Sequence, residues 1–498
     1  MPAVGYARLR EQLNLGTLPV TRPAVVRPVT RIEAMAEELS IPARSAPGDG
    51  LIEQILFALK HEGTDLAQLA AICAHVPGGD LLAALRAQPT GGYLRKLCYL
   101  WERFTGQRLE DLPAEVGGTA YPLFDPQKYL TAPGTRDPRW RIDFNGLGDF
   151  EHCPTVRLTP EIQQCLARDP LGDAMDYLKS FAPTQLERVL GWAYLSETRS
   201  SYALEGEAPG GNKAEAFAEV LRHAHVPHDL TEEYLTGLQN VVMPNAFSRE
   251  ASFRTRQNYL ANSVPGATGV TYVPPPQDEV LPLMQSIDRL ANGKLCPAVP
   301  PLVRATLASF GFVLVHPFLD GNGRLSRFLA HYTLCQSGAL PNGHILPLSI
   351  AMKRHEAEYL AALTSFSRPA RELWNVTWLD GDEFQFEFRG HPAIYRYWDA
   401  TDSVRFMHRM ADETLRHDLH GEVEFLTAYD ATIRAVDERF DVPGSTLSKL
   451  IRMAWSNGCA VSQNRRKQFE GIVQPEVFDF IEASLREFRK PSSPTGQV

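Results

Sequence analysis

The sequence has little cysteine, no long apolar run and no excess of basic charge, and each shortage excludes a class of protein. Its seven cysteines are scattered over 498 residues and form no C-x-x-C pair, so we expect buried, reduced thiols rather than a disulfide or zinc framework. No stretch approaches the roughly 18 uncharged apolar residues of a membrane span. Arg8 and Arg10 have no apolar run behind them, so a secretory signal is not expected. These absences predict a soluble, cytoplasmic protein with no membrane contact.

Acidic residues outnumber basic ones, which limits the partners of the whole chain. Fifty Lys and Arg against 59 Asp and Glu give a formal net charge of −9, so general binding to polyanions is not expected and only a local basic patch stays open. The sequence also lacks a Walker loop and a dinucleotide-binding G-x-G-x-x-G. With 44% hydrophobic and 22% charged residues, the composition is that of an ordinary globular protein.

Helical periodicity, divided into segments by proline and glycine, is the main pattern that is present. The length predicts two to four domains, and the periodicity favours a mainly α fold. We expect a helical region with a connector rich in Gly and Pro over residues 1–150, a central helical domain over 151–370 and another helical domain over 371–490. The polar tail at 491–498 is predicted to be disordered.

Residues 316–327, HPFLDGNGRLSR, are the most informative part of the sequence. Residues 302–315 before them form an almost continuous apolar run with one charge, Arg304, which predicts a buried central helix. Leu325, Phe328 and Tyr332 recur at helical spacing, which predicts a second helix ending near Gln336. The informative segment is therefore the loop between two neighbouring helices.

The second of these helices begins with features typical of an anion site. Arg324 and Arg327 lie in its first turns, where the helix dipole favours negative charge, so an anion should offset the two cations. Gly321, Asn322 and Gly323 allow turn conformations in which successive N–H groups converge with the helix N-terminus. This combination indicates a phosphate-binding cradle.

Two further side chains of the loop have the chemistry that a phosphate reaction needs. Asp320 provides a carboxylate, which is the hard oxygen ligand that Mg²⁺ prefers. His316 has an ordinary pKa near 6.5 that suits proton abstraction from a hydroxyl. Each residue has an ordinary structural alternative, such as a capping histidine or a common Asp-Gly turn. The joint pattern is more specific and predicts phosphoryl or nucleotidyl transfer.

This loop resembles the signature of Fic-domain proteins of the Fic/Doc family, H-P-F-x-D/E-G-N-G-R-x-x-R, at every fixed position. The resemblance implies a helical Fic core that transfers AMP from Mg·ATP to a hydroxyl of a target protein and releases pyrophosphate. It also implies roles for the individual residues. His316 would be the general base, Asp320 the ligand of Mg²⁺, Gly321, Asn322 and Gly323 the anion hole, and Arg324 and Arg327 the phosphate contacts, with Arg327 on the γ-phosphate.

Residues 253–276 contain a turn-rich centre followed by Gly269, Val270, Thr271 and Tyr272. Short β-branched segments around such a centre predict a β-hairpin. The segment resembles the Fic flap, which would hold a target segment by adding it as a strand. A hairpin with a purely structural role is the alternative.

A helix before the catalytic loop resembles the inhibitory motif of Fic proteins, S/T-x-x-x-E-G/N. Residues 186–205 are compatible with a helix, Gly206 is a stop signal, and Ser201 and Glu205 lie four residues apart on one face. The resemblance implies that Glu205 pairs with Arg327 and obstructs the γ-phosphate site. A bidentate pair of carboxylate and guanidinium is strong enough to compete with a phosphate for the same donor, and we expect Ser201 to support the helix. Glu205 as an ordinary surface acid is the alternative, and a role in removing AMP stays open.

The C-terminal region leaves its role open. Residues 429–488 alternate helices and breaks, which fits a winged-helix or helix-turn-helix module. Residues 441–498 contain eight basic and six acidic residues, so DNA binding is only weakly indicated and protein recruitment or packing ranks ahead of it. A homodimer also stays open.

We therefore predict a protein adenylyltransferase that uses Mg²⁺ and ATP, modifies an unidentified target protein and itself, and is inhibited by Glu205. One alternative is a regulatory module that binds DNA or protein and has a weakened transferase site. Another is transfer of UMP, phosphocholine or phosphate, or removal of AMP. Fic relatives that phosphorylate carry Lys at the position of Gly323, so this glycine favours AMP.

Overall fold

The computed structural model describes residues 2–35, 37–114, 116–243, 249–381 and 383–489, and it is mainly helical, as predicted. The tail predicted to be disordered, residues 491–498, lies outside the described residues. Within the described ranges no single helix has the length and hydropathy of a membrane span, although one sharply bent pair, Leu66–Cys73 with Gly78–Ala87, meets those limits together.

The described part of the N-terminal region contains five α-helices and two small sheets. A four-stranded sheet has the order β1-β2-β4-β3, and a three-stranded sheet has the order β5-β7-β6. The prediction of a purely helical region with an irregular connector missed these strands, because strands of two to four residues are too short to establish an alternating pattern. The elements are β1 Ala3–Val4, α1 Gly5–Gln12, β2 Ala24–Arg27, β3 Glu33–Ala34, β4 Leu39–Pro42, α2 Leu51–His61, α3 Leu66–Cys73, α4 Gly78–Ala87, α5 Gly92–Thr105, β5 Tyr121–Pro122, β6 Thr135–Asp137 and β7 Ile142–Phe144.

The described part of the central region is helical except for one short hairpin, as the sequence predicts. Strands β8 and β9 pair antiparallel at the predicted position of the flap. The elements are α6 Pro160–Leu166, α7 Pro170–Leu178, α8 Pro183–Leu204, α9 Gly211–His223, α10 Glu232–Val242, β8 Leu260–Ala261, β9 Val270–Tyr272, α11 Gln277–Ala291, α12 Pro301–Val315, α13 Asn322–Gln336, α14 Leu348–Arg354 and α15 Glu356–Arg371.

The C-terminal region begins with a second hairpin that the prediction of a helical region missed. Alternating apolar residues in its two strands do carry a strand signal, which the sequence interpretation overlooked. Residues 389–489 contain no strand, so the winged-helix interpretation lacks its wing, because the breaks between these helices are too short to form one. The elements are β10 Trp374–Asp380, β11 Glu383–Phe388, α16 Ala393–Arg396, α17 Thr401–Glu413, α18 His420–Asp437, α19 Gly444–Ser456, α20 Gln463–Gln468 and α21 Pro475–Phe488.

Three large clusters of buried apolar side chains organise the chain. The first is built mainly from residues 6–153, the second from residues 147–426 and the third from residues 428–485. The second cluster surrounds α12, whose residues 302–312 are all buried, so the prediction of a buried central helix is confirmed. Domain boundaries at residues 150, 370 and 490 stay a prediction. The catalytic loop predicted from the sequence thus begins at the end of the most buried helix of the central cluster.

Candidate active site

The loop between α12 and α13 is fixed by its own side chains. His316 ends α12 in a left-handed conformation with φ of 51°, and Gly321 precedes α13 with φ of 87°. The Asn322 side chain accepts a hydrogen bond from Phe318 N (3.0 Å) and donates one to Phe318 O (2.8 Å). Because the Phe318 ring is fully buried, this closed turn is attached to the core and holds the first N–H groups of α13 in place.

Two residues that the sequence interpretation did not single out hold the loop from outside. Arg254 donates from Nε to His316 O (3.1 Å) and from its backbone N to Pro317 O (2.8 Å). Asn258 donates from Nδ2 to His316 O (3.1 Å) and Phe318 O (2.8 Å). Both residues precede the flap strand β8, so the flap and the loop form one connected unit. A chain of tertiary contacts of this kind has no local sequence signal.

A backbone carbonyl fixes the orientation of the His316 imidazole. Its Nδ1 lies 3.1 Å from Val313 O, so a proton on Nδ1 is donated to that carbonyl and Nε2 is left as an acceptor. Burial lowers the pKa of the His316 imidazole to about 4, with Arg254 contributing in the same direction. The imidazole is therefore neutral at physiological pH, which is the form that a general base requires.

We expect the His316 imidazole to stay neutral down to about pH 5, well below the ordinary midpoint of about 6.5. The measurement is NMR of the ring nitrogens across a pH titration, with the His316 signals assigned from their loss in His316→Gln. A titration midpoint above 6 would contradict the burial argument.

Arg327 is surrounded by groups from the end of α8. It donates from Nε to Ser201 Oγ (2.7 Å) and from a terminal nitrogen to both Ser201 O (2.9 Å) and Glu205 Oε1 (2.7 Å). Glu205 thus accepts one hydrogen bond from Arg327 and not the two of the expected bidentate pair, while Ser201 accepts from Nε. Ser201 contacts Arg327 directly rather than only supporting its helix. Gly206, with φ of 72°, lies just after the end of α8.

The carboxylate of Glu205 also lies over the N-terminus of α13. A Cβ atom added to Gly323 would come within 2.1 Å of Glu205 Oε1, so a side chain at this position would displace the carboxylate from its place. Burial raises the pKa of the Glu205 carboxyl, but Arg327 and Arg324 lower it more strongly, and the result is a pKa below the ordinary value. A charged carboxylate thus lies at the position where the sequence predicts bound phosphate.

Arg324 is paired with a residue that the sequence interpretation did not assign. It is 1% exposed, donates to Glu207 Oε2 (2.9 Å) and lies over the Tyr202 ring, 5.1 Å from its centroid. In the described part of the chain Arg324 Nε and one terminal nitrogen of Arg327 are buried without an acceptor. Unpartnered buried donors of this kind are suited to an additional anion.

Asp320 is the one carboxylate of the loop, and it is accessible. Its side chain is 55% exposed, its Oδ1 accepts a hydrogen bond from Gly321 N (2.6 Å), and the same oxygen lies 3.6 Å from Arg324. Among the described residues no group of three or more His, Cys, Asp or Glu side chains could hold a metal ion alone. Asp320 therefore fits a hard divalent ion only if phosphate oxygens provide other ligands.

The four predicted flap residues differ in accessibility. Val270 and Tyr272 are buried, and the Tyr272 hydroxyl donates to Leu314 O (2.6 Å). Thr271 faces outward and donates to Leu260 O (3.2 Å), while Gly269 ends a short 3₁₀ turn. Alternation along the strand explains this difference, and a docking role for these residues stays a prediction.

A buried contact between a carboxylate and an imidazole attaches α8 to α13 and α14 at a second point. Glu197 is fully buried, lies 3.0 Å from His331 Nε2 on α13 and accepts hydrogen bonds from Ser349 N (2.8 Å) and Oγ (2.5 Å) on α14. Burial raises the pKa of Glu197, but His331 and Ser349 lower it further, to below its ordinary value. Helix α8, which ends just before Glu205, is therefore fixed at Glu197, about two turns before its end.

Glu197→Ala should destabilise the protein by about 3 to 5 kcal/mol, because it leaves His331 and Ser349 buried without their acceptor. The measurement is the midpoint of denaturant unfolding. Glu187→Ala, at an exposed position of the same helix, is the control and should change stability by less than about 0.5 kcal/mol. Equal midpoints for the two variants would contradict an anchoring role for Glu197.

Comparison with known proteins finds a family match for the segment that contains this loop. Residues 229–334 match the model of the Fic/DOC family. The chain is similar to protein adenylyltransferase fic-1 of Caenorhabditis briggsae, with 34% identity over 137 residues that cover 27% of this chain and 24% of the relative. It is also similar to protein adenylyltransferase Fic of Drosophila ananassae, with 38% identity over 89 residues that cover 18% of this chain and 16% of the relative. The match thus spans about a quarter or less of these relatives.

Two solved structures are similar to larger parts of the chain. A Fic family protein from Desulfovibrio desulfuricans G20 has 16% identity and a TM-score of 0.38, covering 63% of this chain and 87% of that one. Fic-1 from C. elegans has 17% identity and a TM-score of 0.35, covering 72% of this chain and 87% of that one.

Proposed function

We propose that this chain, whose residues 229–334 form a Fic domain, is an autoinhibited protein adenylyltransferase. It transfers AMP from ATP to a hydroxyl of a target protein and of its own chain. The observation that supports this most strongly is the convergence of His316, Arg324, Arg327 and the α13 N-terminus around the carboxylate of Glu205. This set contains a base and cationic donors, and a carboxylate lies where the phosphates would bind.

The reaction follows from the arrangement of the loop. The α-phosphate of ATP accepts hydrogen bonds from the first N–H groups of α13, and the β- and γ-phosphates extend toward Arg324 and Arg327. His316 Nε2 removes the proton of the target hydroxyl, whose oxygen attacks the α-phosphorus. A new P–O bond joins AMP to the target, the bond between the α-phosphorus and the bridging oxygen breaks, and pyrophosphate leaves with the electron pair.

Asp320 would hold Mg²⁺ together with the phosphates. The chemistry that the ion supplies when bound is neutralisation of charge on the leaving pyrophosphate. Support for this assignment comes from the accessible carboxylate beside the α13 N-terminus.

Inhibition in this proposal uses both acids that follow α8. Glu205 occupies the space above Gly323 and one donor of Arg327, while Glu207 occupies a donor of Arg324. A triphosphate needs these same donors and adds further negative charge, so nucleotide and the two carboxylates compete. The anchor at Glu197 keeps the end of α8 near the site and raises the effective concentration of both acids.

Glu207→Gln should raise AMP transfer by roughly two- to fivefold, less than removal of Glu205, because Glu207 is 39% exposed and screening weakens its pair with Arg324. The measurement is incorporation of radiolabelled AMP into the chain. Glu215→Gln, at an exposed position of α9, is the control and should leave the rate unchanged. Equal rates for both variants would remove Glu207 from the inhibitory mechanism.

ATP labelled at either the α- or the γ-phosphorus tests the proposed reaction directly. The Glu205→Gly chain is incubated with each label, and covalent incorporation is counted after denaturation. The proposal predicts incorporation of the α-label alone and release of pyrophosphate. Incorporation of the γ-label would indicate phosphotransfer, and incorporation of neither label would reject the transferase assignment. UTP in place of ATP distinguishes UMP transfer.

A further inference from the structure

Hairpin β10–β11 carries a stripe of apolar side chains on one face. Its register pairs residue 374 with 388, 376 with 386 and 378 with 384, and alternation along each strand places these side chains on the same face. The stripe consists of Trp374, Val376, Trp378, Phe384, Phe386 and Phe388. The hairpin lies outside residues 229–334, which match the Fic/DOC family.

The inner half of this stripe packs on the flap. Trp374 is buried and belongs to the same apolar cluster as Val270 of β9. The Tyr259 ring, just before β8, contacts Phe386 and Phe384 with centroids 5.5 and 5.0 Å apart. Arg371 donates to Val270 O (3.0 Å), Ala267 O (3.1 Å) and Trp374 O (2.9 Å). The hairpin and the flap are therefore joined by packing and by hydrogen bonds.

The outer half of the stripe has little cover. Trp378 is 52% exposed, and its indole N–H donates to Gly381 O (2.9 Å), so the ring itself is free to present an apolar face. Between Trp378 and flap-tip residues 261–266 lies an open groove of about 550 Å³. Leu260 and Val264 beside it are 43% and 49% exposed. Apolar surface concentrated at one place in this way is typical of an interaction site.

The chain leads from the loop at His316 to the groove through β8. Asn258 contacts the carbonyl of His316, and the chain then runs through Tyr259 and β8 to the flap tip. In the described chain β8 pairs with β9 alone, so its other edge can accept an added strand. Asn258 contacts His316 O, and residues 262–264 line the groove. A segment that pairs residue by residue with this stretch of the chain therefore reaches the groove about four to six residues after it passes His316.

Acidic groups at the hairpin tip limit what the groove can hold. Asp380 and Glu383 are exposed, and neither forms an ion pair within the described residues. Their charge disfavours nucleic acid and anionic membrane, and it favours basic residues beside the apolar anchor. An extended protein segment combines these properties, because alternate side chains can enter the groove while others meet the acidic tip.

We propose that the groove between the flap and hairpin β10–β11 binds an apolar side chain of the target protein. This side chain is aromatic or branched, has basic neighbours and lies about five residues from the hydroxyl that receives AMP. The inference rests on the proposed function and adds a selectivity site to it. Trp378 and Phe384 form the hairpin wall of this site.

Fluorescein-labelled peptides test this docking site in the full chain without ATP. Each peptide contains one Thr and, about five residues away on either side, one Phe between two Lys. Fluorescence anisotropy gives the dissociation constant. Replacing Phe by Ser, or both Lys by Glu, should weaken binding by about tenfold or more, and Trp378→Ser in the protein should do the same.

Leu379→Ser is the matched control, because Leu379 is 55% exposed on the neighbouring position but does not line the groove. Equal binding by Trp378→Ser and Leu379→Ser, no preference for Phe over Ser, or no binding at all would overturn the docking site. AMP transfer to the peptides by Glu205→Gly is measured separately. Selective peptide binding without any AMP transfer would support the docking site and reject the proposed enzyme. Self-modification with AMP without selective peptide binding would support the proposed enzyme and reject the docking site.

Discussion

Replacing Glu205 by glycine should raise self-modification with AMP by about ten- to a hundredfold. The carboxylate forms a charge-assisted hydrogen bond with Arg327 and lies over Gly323. A bond of this type contributes about 1.5 to 3 kcal/mol, and each 1.4 kcal/mol corresponds to roughly tenfold in occupancy. Its removal frees the donors that the triphosphate needs. The measurement is intact mass after incubation with Mg·ATP, in which each modified site adds one AMP.

The fold should tolerate this change. Glu205 follows the last residue of α8, and the helix remains attached through Glu197, His331 and Ser349. Glu205→Gln is the matched variant, because it keeps the size of the side chain and loses its charge, so its rate should lie between wild type and Glu205→Gly. If all three proteins incorporate AMP equally, Glu205 does not inhibit the enzyme.

His316→Ala in the Glu205→Gly background should reduce AMP transfer by about 10²- to 10⁴-fold, the range expected for loss of a general base. The loop should keep its conformation, because Arg254 and Asn258 hold the carbonyl of residue 316 rather than its imidazole. ATP should therefore bind with unchanged affinity. The measurements are the rate of AMP incorporation and, separately, the dissociation constant of ATP.

A second histidine replacement controls for loss of an imidazole elsewhere. His417 is 62% exposed, and His417→Ala in the same background should keep the full rate. Transfer that survives in His316→Ala would show that another group accepts the proton. Loss of ATP binding in that variant would instead assign His316 a structural role.

The parts of the fold that the sequence predicts well are those with a strong local pattern. The apolar run before His316 predicts α12 almost to the residue, and the spacing of Leu325, Phe328 and Tyr332 predicts α13. Helix α8 and its end near Gly206 follow from helical periodicity and one glycine. In each case neighbouring residues contain the information, so the prediction needs no knowledge of tertiary contacts.

Contacts between distant segments could not be predicted in this way. The pair of Glu207 with Arg324 joins residues 117 apart in sequence, and Asn258 reaches the carbonyl of His316 from 58 residues away. Nothing in the local sequence indicates that Glu207 rather than solvent balances Arg324. Only the packing of α8 against α13 brings Glu207 and Arg324 together.

The short strands were missed for two different reasons. Strands β1 to β4 have two to four residues each, which is too short for a periodic signal. Hairpin β10–β11 does have one, since Trp374, Val376 and Trp378 alternate with polar residues. Assigning the region from residue 374 onward to helices hid that pattern.

The structure of the Glu205→Gly chain crystallised with Mg·ATP tests the central claim most directly. We predict that the triphosphate occupies the space that the Glu205 carboxylate fills in the wild type, with the α-phosphate between His316 and the α13 N-terminus and the γ-phosphate on Arg327. Nucleotide bound in another cavity, or phosphates that contact neither Arg324 nor Arg327, would contradict the account.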